Sequence, residues 1–199
     1  MNITKNIIAP LLTLAAFVSY AAFVPIAAHA ADVGGVKVDD KATVGGQELV
    51  LNGAGVRTRL VFKVYVGALY VPQKTTSVAD VIGKNQARRV TLLLQRDVSA
   101  DQLLEALRAG LAENNSQADL DRIKGQVDEF YAIFKTVGEA KAGQVINIDY
   151  MPADGTRVLL DGAPKGTVAG EPFNKALLMT WLGDRPVQES LKKAMLGTQ

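Results

Sequence analysis

The chain has 199 residues, with 22 lysines and arginines against 20 acidic residues, one histidine and no cysteine. Without a thiol there is no disulfide, no thiol nucleophile and no thiolate metal site; with the lone histidine at position 29, the remaining chain has no imidazole for Ser-His-Asp or Cys-His catalysis or for zinc or haem ligation. A nearly balanced charge with no basic stripe sets nucleic acid aside.

Residues 1–30, MNITKNIIAPLLTLAAFVSYAAFVPIAAHA, carry one charge, Lys5, then a long apolar stretch ending in Ala28-His29-Ala30. The pattern predicts a signal peptide cleaved after Ala30 and hence a periplasmic protein, in membrane contact only through the signal before cleavage. The stretch is long for such a signal, and an uncleaved anchor is the competing reading. Cleavage removes one lysine and no acid, so the formal charge falls from +2 to +1. Residues 31–199 suffice for one domain with a packed core. Any proton chemistry there must use Asp, Glu, Lys, Tyr or Arg, and no metal or other cofactor is expected.

Residues 31–46 are polar and glycine-spaced and predict a short edge strand or hairpin. A strand begins at residues 47–52 and is broken by Gly53 and Gly55, glycines that permit a tight turn or a bulge. Gly53-Ala54-Gly55 lacks the full phosphate-loop pattern and precedes a strand rather than a helix. Residues 58–71 are the strongest strand candidate. Leu60, Phe62, Val64, Val66, Ala68 and Tyr70 form an apolar face expected against the core; Arg59, Val61, Lys63, Tyr65, Gly67 and Leu69 form a mixed one. Pro72 ends the strand. A polar connection over 73–86, with room for a short helix, leads to a strand over 88–96.

Ser99-Ala100-Asp101-Gln102 reads as a capping box, and Leu103, Leu104, Leu107 and Leu111 give the following helix one apolar stripe. Asn114-Asn115 ends it. Ser116 caps a second helix with apolar positions from Leu120 to Phe134, mildly weakened at Gly125. Strands over 144–150, 156–160 and 166–169 follow, joined by Asp-Gly turns. A helix over 173–182 carries Phe173, Leu177 and Trp181 on one face and stops at Gly183. Pro186 opens a last helix running to Leu196. Strands, helices, strands and helices in that order predict an α+β fold, an antiparallel sheet with helices packed on one face.

Three segments carry a family resemblance. GAGVR (53–57) with FKVYVGALYV (62–71), RRVTLLLQRDVSADQLLEAL (88–107) and ALLMTWLGDRPVQESLKKAML (176–196) resemble, in order, segments of chalcone isomerases, with the bacterial exported branch of the chalcone isomerase-like proteins the nearest match. The resemblance covers nearly all of residues 32–197 and implies an open-faced β-sandwich. It places the family's ligand-side arginine on Arg57 and its C-terminal helix Thr or Ser on Thr180. The isomerases' strand Thr falls on Tyr65, their helix-head Tyr near Asp101 and their helix Asn near Arg108. Without that Thr and Tyr, most of the stabilisation of the developing enolate is missing, which argues against isomerase activity. The non-catalytic fatty-acid-binding relatives pair the arginine with a Tyr where Tyr65 stands.

The resemblance therefore implies non-catalytic binding of a small apolar anion such as a fatty acid, with Arg57 as anchor and Tyr65, Lys63 or Thr180 as helpers. The alternatives are an isomerase or lyase acting on an enone or phenolic substrate, and a structural or interaction protein with a closed cleft. One geometric obstacle stands out. Along one extended strand, Arg57 and Tyr65 would lie about 26 Å apart at ~3.3 Å per residue. They can share a ligand only if the chain folds back near Arg59–Leu60 or bends at the glycines, and no clear turn residue occurs there.

Overall fold

A computed structural model of the protein describes residues 30–198. The signal expected over residues 1–30 lies outside the described residues except for Ala30. Among the described residues, no helix is long and apolar enough to cross a membrane.

The described residues open with a hairpin of β1 (Ala30–Val33) and β2 (Val36–Asp39), followed by β3 (Lys41–Val44) and two long strands, β4 (Gln47–Arg59) and β5 (Phe62–Val71). The helix α1 (Val78–Gly83) leads into β6 (Arg88–Leu94). The short β7 (Val98–Ser99) pairs with β8 (Glu139–Ala140); between them lie α2 (Ala100–Asn114), α3 (Gln117–Arg122) and α4 (Lys124–Lys135). A meander of β9 (Val145–Met151), β10 (Gly155–Leu160) and β11 (Ala163–Val168) precedes α5 (Glu171–Leu182) and α6 (Glu189–Met195). Among the described residues, the main sheet has seven strands in the order β11-β10-β9-β6-β5-β4-β3, with neighbours antiparallel. The α+β architecture expected from the element order is the one observed.

The continuous strand expected over 58–71 is instead a hairpin. β4 ends at Arg59, Leu60 and Val61 form a two-residue loop, and β5 returns with Phe62 opposite Arg59. Leu60 holds φ at +56°, the left-handed region that favoured two-residue hairpin turns use and that glycine or asparagine normally supplies. A leucine there carries no turn signature. The expected burial also changes: Leu60 and Phe62 stand at the exposed tip.

Both faces of β5 are buried beyond the tip. Tyr65, Leu69 and Val71 join the core beneath the helices, with Leu92, Ile146, Phe130, Phe173 and Trp181. Val66, Ala68 and Tyr70 face the other way and pack with Val44, Leu49 and Met151, and with Val33, Val36 and Val38 of the β1–β2 hairpin. The mixed face of the sequence reading is thus the one that meets the helices. Phe130 stands 5.2 Å from Phe134 and 5.3 Å from Phe173, ring centre to ring centre, tying α4 to α5.

Gly53 and Gly55 do not break β4. The register shifts between Leu51 and Gly53, the bulge that the glycines suggested, and the strand continues. Their second purpose is close approach of α6. A β-carbon on Gly53 would lie 2.0 Å from the Ala194 carbonyl oxygen, and one on Gly55 2.5 Å from the Ala194 β-carbon. The Ser99 capping box forms as read, with both reciprocal bonds at 3.2 Å. The single helix expected after Ser116 is two, divided at Ile123, whose φ and ψ of −107° and 13° leave the helical path. The last helix starts at Glu189 rather than at Pro186; the residues between form a connection in which Val187 N–H donates to the Thr180 carbonyl at 2.9 Å.

Candidate functional site

Folding back at Leu60 sets Arg57 directly opposite Tyr65 in the β4–β5 ladder. Opposed residues of an antiparallel pair lie about 5 Å apart with side chains on one face, so the 26 Å obstacle disappears. Next along the ladder, Thr58 opposes Lys63, leaving Val64 as a bulge. The Val64 carbonyl turns to accept from Gln95 N at 2.9 Å. The Thr58 N–H donates to Gln188 Oε1 at 2.8 Å.

Gln188 caps the space between the bulge and α6. Its Oε1 also accepts from the Arg57 guanidinium and from Thr58 Oγ1, each at 3.2 Å, and its Nε2 donates to the Val56 carbonyl at 3.0 Å. Arg57 further donates to the Thr58 carbonyl. The half-buried guanidinium is therefore held by neutral acceptors only; among the described residues no carboxylate pairs with it.

Tyr65 is oriented from the other side. Its buried hydroxyl accepts a hydrogen bond from Trp181 Nε1 at 3.0 Å. A phenol oxygen that accepts still has its own proton to donate. Burial pushes the Tyr65 pKa upward, opposed in smaller measure by the Trp181 bond and the positive charge of Arg57.

Arg57 and Tyr65 line a cleft of about 300 Å³ between the β4–β5 hairpin and the start of α2. Its apolar walls are Leu60, Phe62 and Val64 from the hairpin, Val98, Leu103 and Ala106 from the α2 side, and Val187. Arg59 and Arg96 add two exposed cations. Among the described residues Asp97 is the one carboxylate in the lining, and it is engaged: Lys141 Nζ lies 3.1 Å and Ala142 N 2.9 Å from its oxygens. Those two contacts hold its pKa below the usual carboxylate range, the backbone bond most strongly. The cleft is thus apolar in its walls and cationic in its charge, with a neutral donor beside the most enclosed arginine.

A larger open groove of about 580 Å³ lies between α1, α3 and α5. Its charged lining groups are paired, Arg122 with Asp119 at 2.7 Å and Lys175 with Glu171 at 2.9 Å, so among the described residues it offers no unmatched charge to a ligand.

Of the residues expected at a site, the structure brings Arg57 and Tyr65 together and leaves two apart. Lys63 points to the opposite side of the hairpin, where its Nζ donates to the Gly34 carbonyl at 3.1 Å. Thr180 is buried against α2: a β-carbon on Gly110 would lie 2.5 Å from its Cγ2. Its neighbour Trp181, expected with Phe173 and Leu177 on one face of this helix, is the α5 residue that reaches Tyr65. Asp101 is exposed and outside the cleft lining, where Gln102 takes part instead. Arg108 stacks on Tyr131 at 4.7 Å, outside the cleft lining. Gln188 and Arg96 carry no sequence signal, because their roles depend on a bulge and a hairpin that no local pattern announces.

The sequence profile described as chalcone isomerase-like matches residues 30–197. The fold is similar to the crystal structure of an Arabidopsis thaliana fatty-acid binding protein, with a TM-score of 0.62 and 15% identity over 81% of this chain and 92% of that one. No curated protein matches the chain in sequence.

Proposed function

The chain belongs to the chalcone isomerase-like family, and on that premise we propose that its β4–β5 cleft binds a fatty acid or a similar apolar anion without transforming it. The observation that carries this reading is the pairing of Arg57 and Tyr65 in one apolar-walled cleft, with no carboxylate on the arginine among the described residues. A carboxylate entering there would meet a cation and a phenol donor, both already oriented, by Gln188 and Trp181. Preorganised donors of this kind favour charge-assisted hydrogen bonds and exclude a ligand lacking the anion. The plant protein of similar fold is described as binding fatty acid, which supports the choice of ligand. Arg88 shows by contrast what a structural arginine looks like. It is fully buried, its Nε and Nη1 donate to Asn174 and to the Val81 and Lys84 carbonyls, the Tyr150 ring lies 4.5 Å from its guanidinium carbon, and burial lowers its pKa to about 10.

A cleft of about 300 Å³ is at the small end of the ~300–1,000 Å³ range of small-molecule sites. Medium-length acyl chains are therefore expected to bind more tightly than long ones, and calorimetric titration with a chain-length series tests the reading directly. Absence of binding at every length rejects it.

Tyr65→Phe is expected to weaken binding by about 12- to 150-fold, the value of roughly 1.5–3 kcal/mol for one hydrogen bond to a charged group. It also leaves the buried Trp181 N–H without its acceptor, so the melting temperature should fall by about 2–12 °C. In the native protein, affinity should stay level through neutral and mildly alkaline pH. The sign follows from Tyr65: an ionised phenol would repel the carboxylate, and burial delays that ionisation beyond the ordinary 10.0. A decline setting in well below pH ~10 and persisting in Tyr65→Phe would assign the loss to another group.

The reading also implies no appreciable conversion of chalcone to flavanone, because Asp101, at the family's helix-head Tyr, is outside the cleft lining. Loss of the chalcone absorbance band with one flavanone enantiomer in excess would establish an enzyme instead. We further place the protein in the periplasm as a member of the exported branch, its mature form beginning at Ala31, on the strength of Lys5, the apolar stretch and Ala28-His29-Ala30. N-terminal sequencing of the periplasmic fraction checks this; an intact Met1 in the membrane fraction overturns it.

A further inference from the structure

The hairpin that forms one wall of the cleft ends in three exposed apolar side chains. Leu60 is 91% exposed, Val61 87% and Phe62 55%. They follow one another at the tip of a two-residue loop and form the protein's exposed large hydrophobic residues among those described. Folding gains nothing from their exposure, and a leucine held at φ +56° adds backbone strain where glycine or asparagine would add less. Such a tip implies a surface that covers it.

The charge around the tip indicates which surface. Arg59 and Lys63 flank the three residues in sequence, and Arg96 lies over the Phe62 ring, 4.9 Å from its centre. All three cations are exposed, and among the described residues none makes an ion pair. The nearest carboxylate in the cleft lining, Asp97, is committed to Lys141 and Ala142. An apolar point ringed by unmatched cations is complementary to a bilayer with anionic headgroups: the point enters the acyl boundary while the cations remain among the phosphates. Leu60, Phe62, Arg59 and Arg96 also line the cleft, so the docked surface meets the ligand entrance.

We propose that the Leu60–Phe62 tip docks the protein on an anionic phospholipid surface and so opens the cleft to ligand held in the bilayer. The transfer step rests on the fatty-acid reading of the cleft; the docking does not. The test uses the full chain, which has no cysteine, so Val61→Cys provides one labelling position. Val61 is outside the cleft lining, and a change there leaves the binding groups in place. An environment-sensitive dye at that position should shift on addition of vesicles of phosphatidylcholine with phosphatidylglycerol and not with phosphatidylcholine alone. The same dye at Glu129→Cys, exposed on α4, should not respond. Each of Arg59→Gln, Lys63→Gln and Arg96→Gln should lower the tip's vesicle affinity by about fivefold.

Transfer of a fluorescent fatty acid from the anionic vesicles should accelerate with vesicle concentration. Val61→Asp should slow it by about tenfold while affinity in solution stays unchanged. A tip label that responds while no fatty acid binds rejects the ligand and leaves the docking standing. A silent tip label with anionic vesicles overturns the docking. A label that shifts with protein concentration alone, without lipid, also overturns it and assigns the tip to a contact between copies.

Discussion

Arg57→Met is expected to weaken fatty-acid binding by about 30- to 800-fold, a loss of roughly 2–4 kcal/mol. A carboxylate leaving water for an apolar-walled cleft gives up its hydration and needs a cation in return. Arg57 is half-buried, faces Tyr65 and has its guanidinium steadied by Gln188, so the return is large. Methionine keeps the apolar stem and removes the charge, together with the guanidinium's bonds to Gln188 and the Thr58 carbonyl. Arg59→Met is the matched comparison. Arg59 lines the same cleft but is exposed, and a solvated cation changes affinity by about 1 kcal/mol or less. Calorimetric titration of both variants decides between them once circular dichroism and melting have shown each to be folded. Equal affinities in the wild type and Arg57→Met remove Arg57 from the site, and a larger loss in Arg59→Met moves the anion to the mouth of the cleft.

The contrast between these two arginines shows what local sequence carries and what it does not. The Ser99 capping box and the leucine stripe of α2 depend on residues within a few positions of one another, and both were legible. The element order gave the α+β class for the same reason. The hairpin at Leu60 was not legible, since its turn is made by two large apolar residues, one of them in a conformation that sequence assigns to glycine or asparagine. An apolar run through a turn reads as one strand, and the period-two count then assigns Leu60 and Phe62 to a core they do not enter. Arg57 and Tyr65 entered the site through family resemblance, and their convergence needed the fold. Trp181 looked like core because it is core; its N–H finds Tyr65 only across the interface of α5 with the sheet. Gln188 reads as an ordinary polar residue until the bulge at Val64 is known, at which point the Thr58 N–H calls for an acceptor.

That dependence of the site on α6 makes Gly53→Ala the substitution with the largest expected effect on stability. A β-carbon at this position would sit 2.0 Å from the Ala194 carbonyl oxygen and 3.0 Å from that of Met195, both backbone atoms with no rotamer to yield. The end of α6 must retreat, taking with it the bond of 2.7 Å from buried Asn52 Nδ2 to the Met195 carbonyl. It also loosens Leu191, Ala194 and Met195, all buried. Overpacking costs about 1–3 kcal/mol, and a stranded buried amide adds about 1–3 more. At ~2–4 °C per kcal/mol for a chain of this size, the melting temperature should fall by roughly 5–20 °C. Gly55→Ala makes a different clash, 2.5 Å from the β-carbon of Ala194 rather than from backbone. Ala194→Gly should therefore restore much of the stability lost in Gly55→Ala and little of that lost in Gly53→Ala. Equal rescue of both would mean that α6 yields freely and that the glycines serve only the strand. Because Gln188 stands at the start of α6 and holds Arg57, Gly53→Ala is also expected to weaken ligand binding at temperatures where the protein remains folded. Full affinity in the folded variant would show that Arg57 finds its position without the helix.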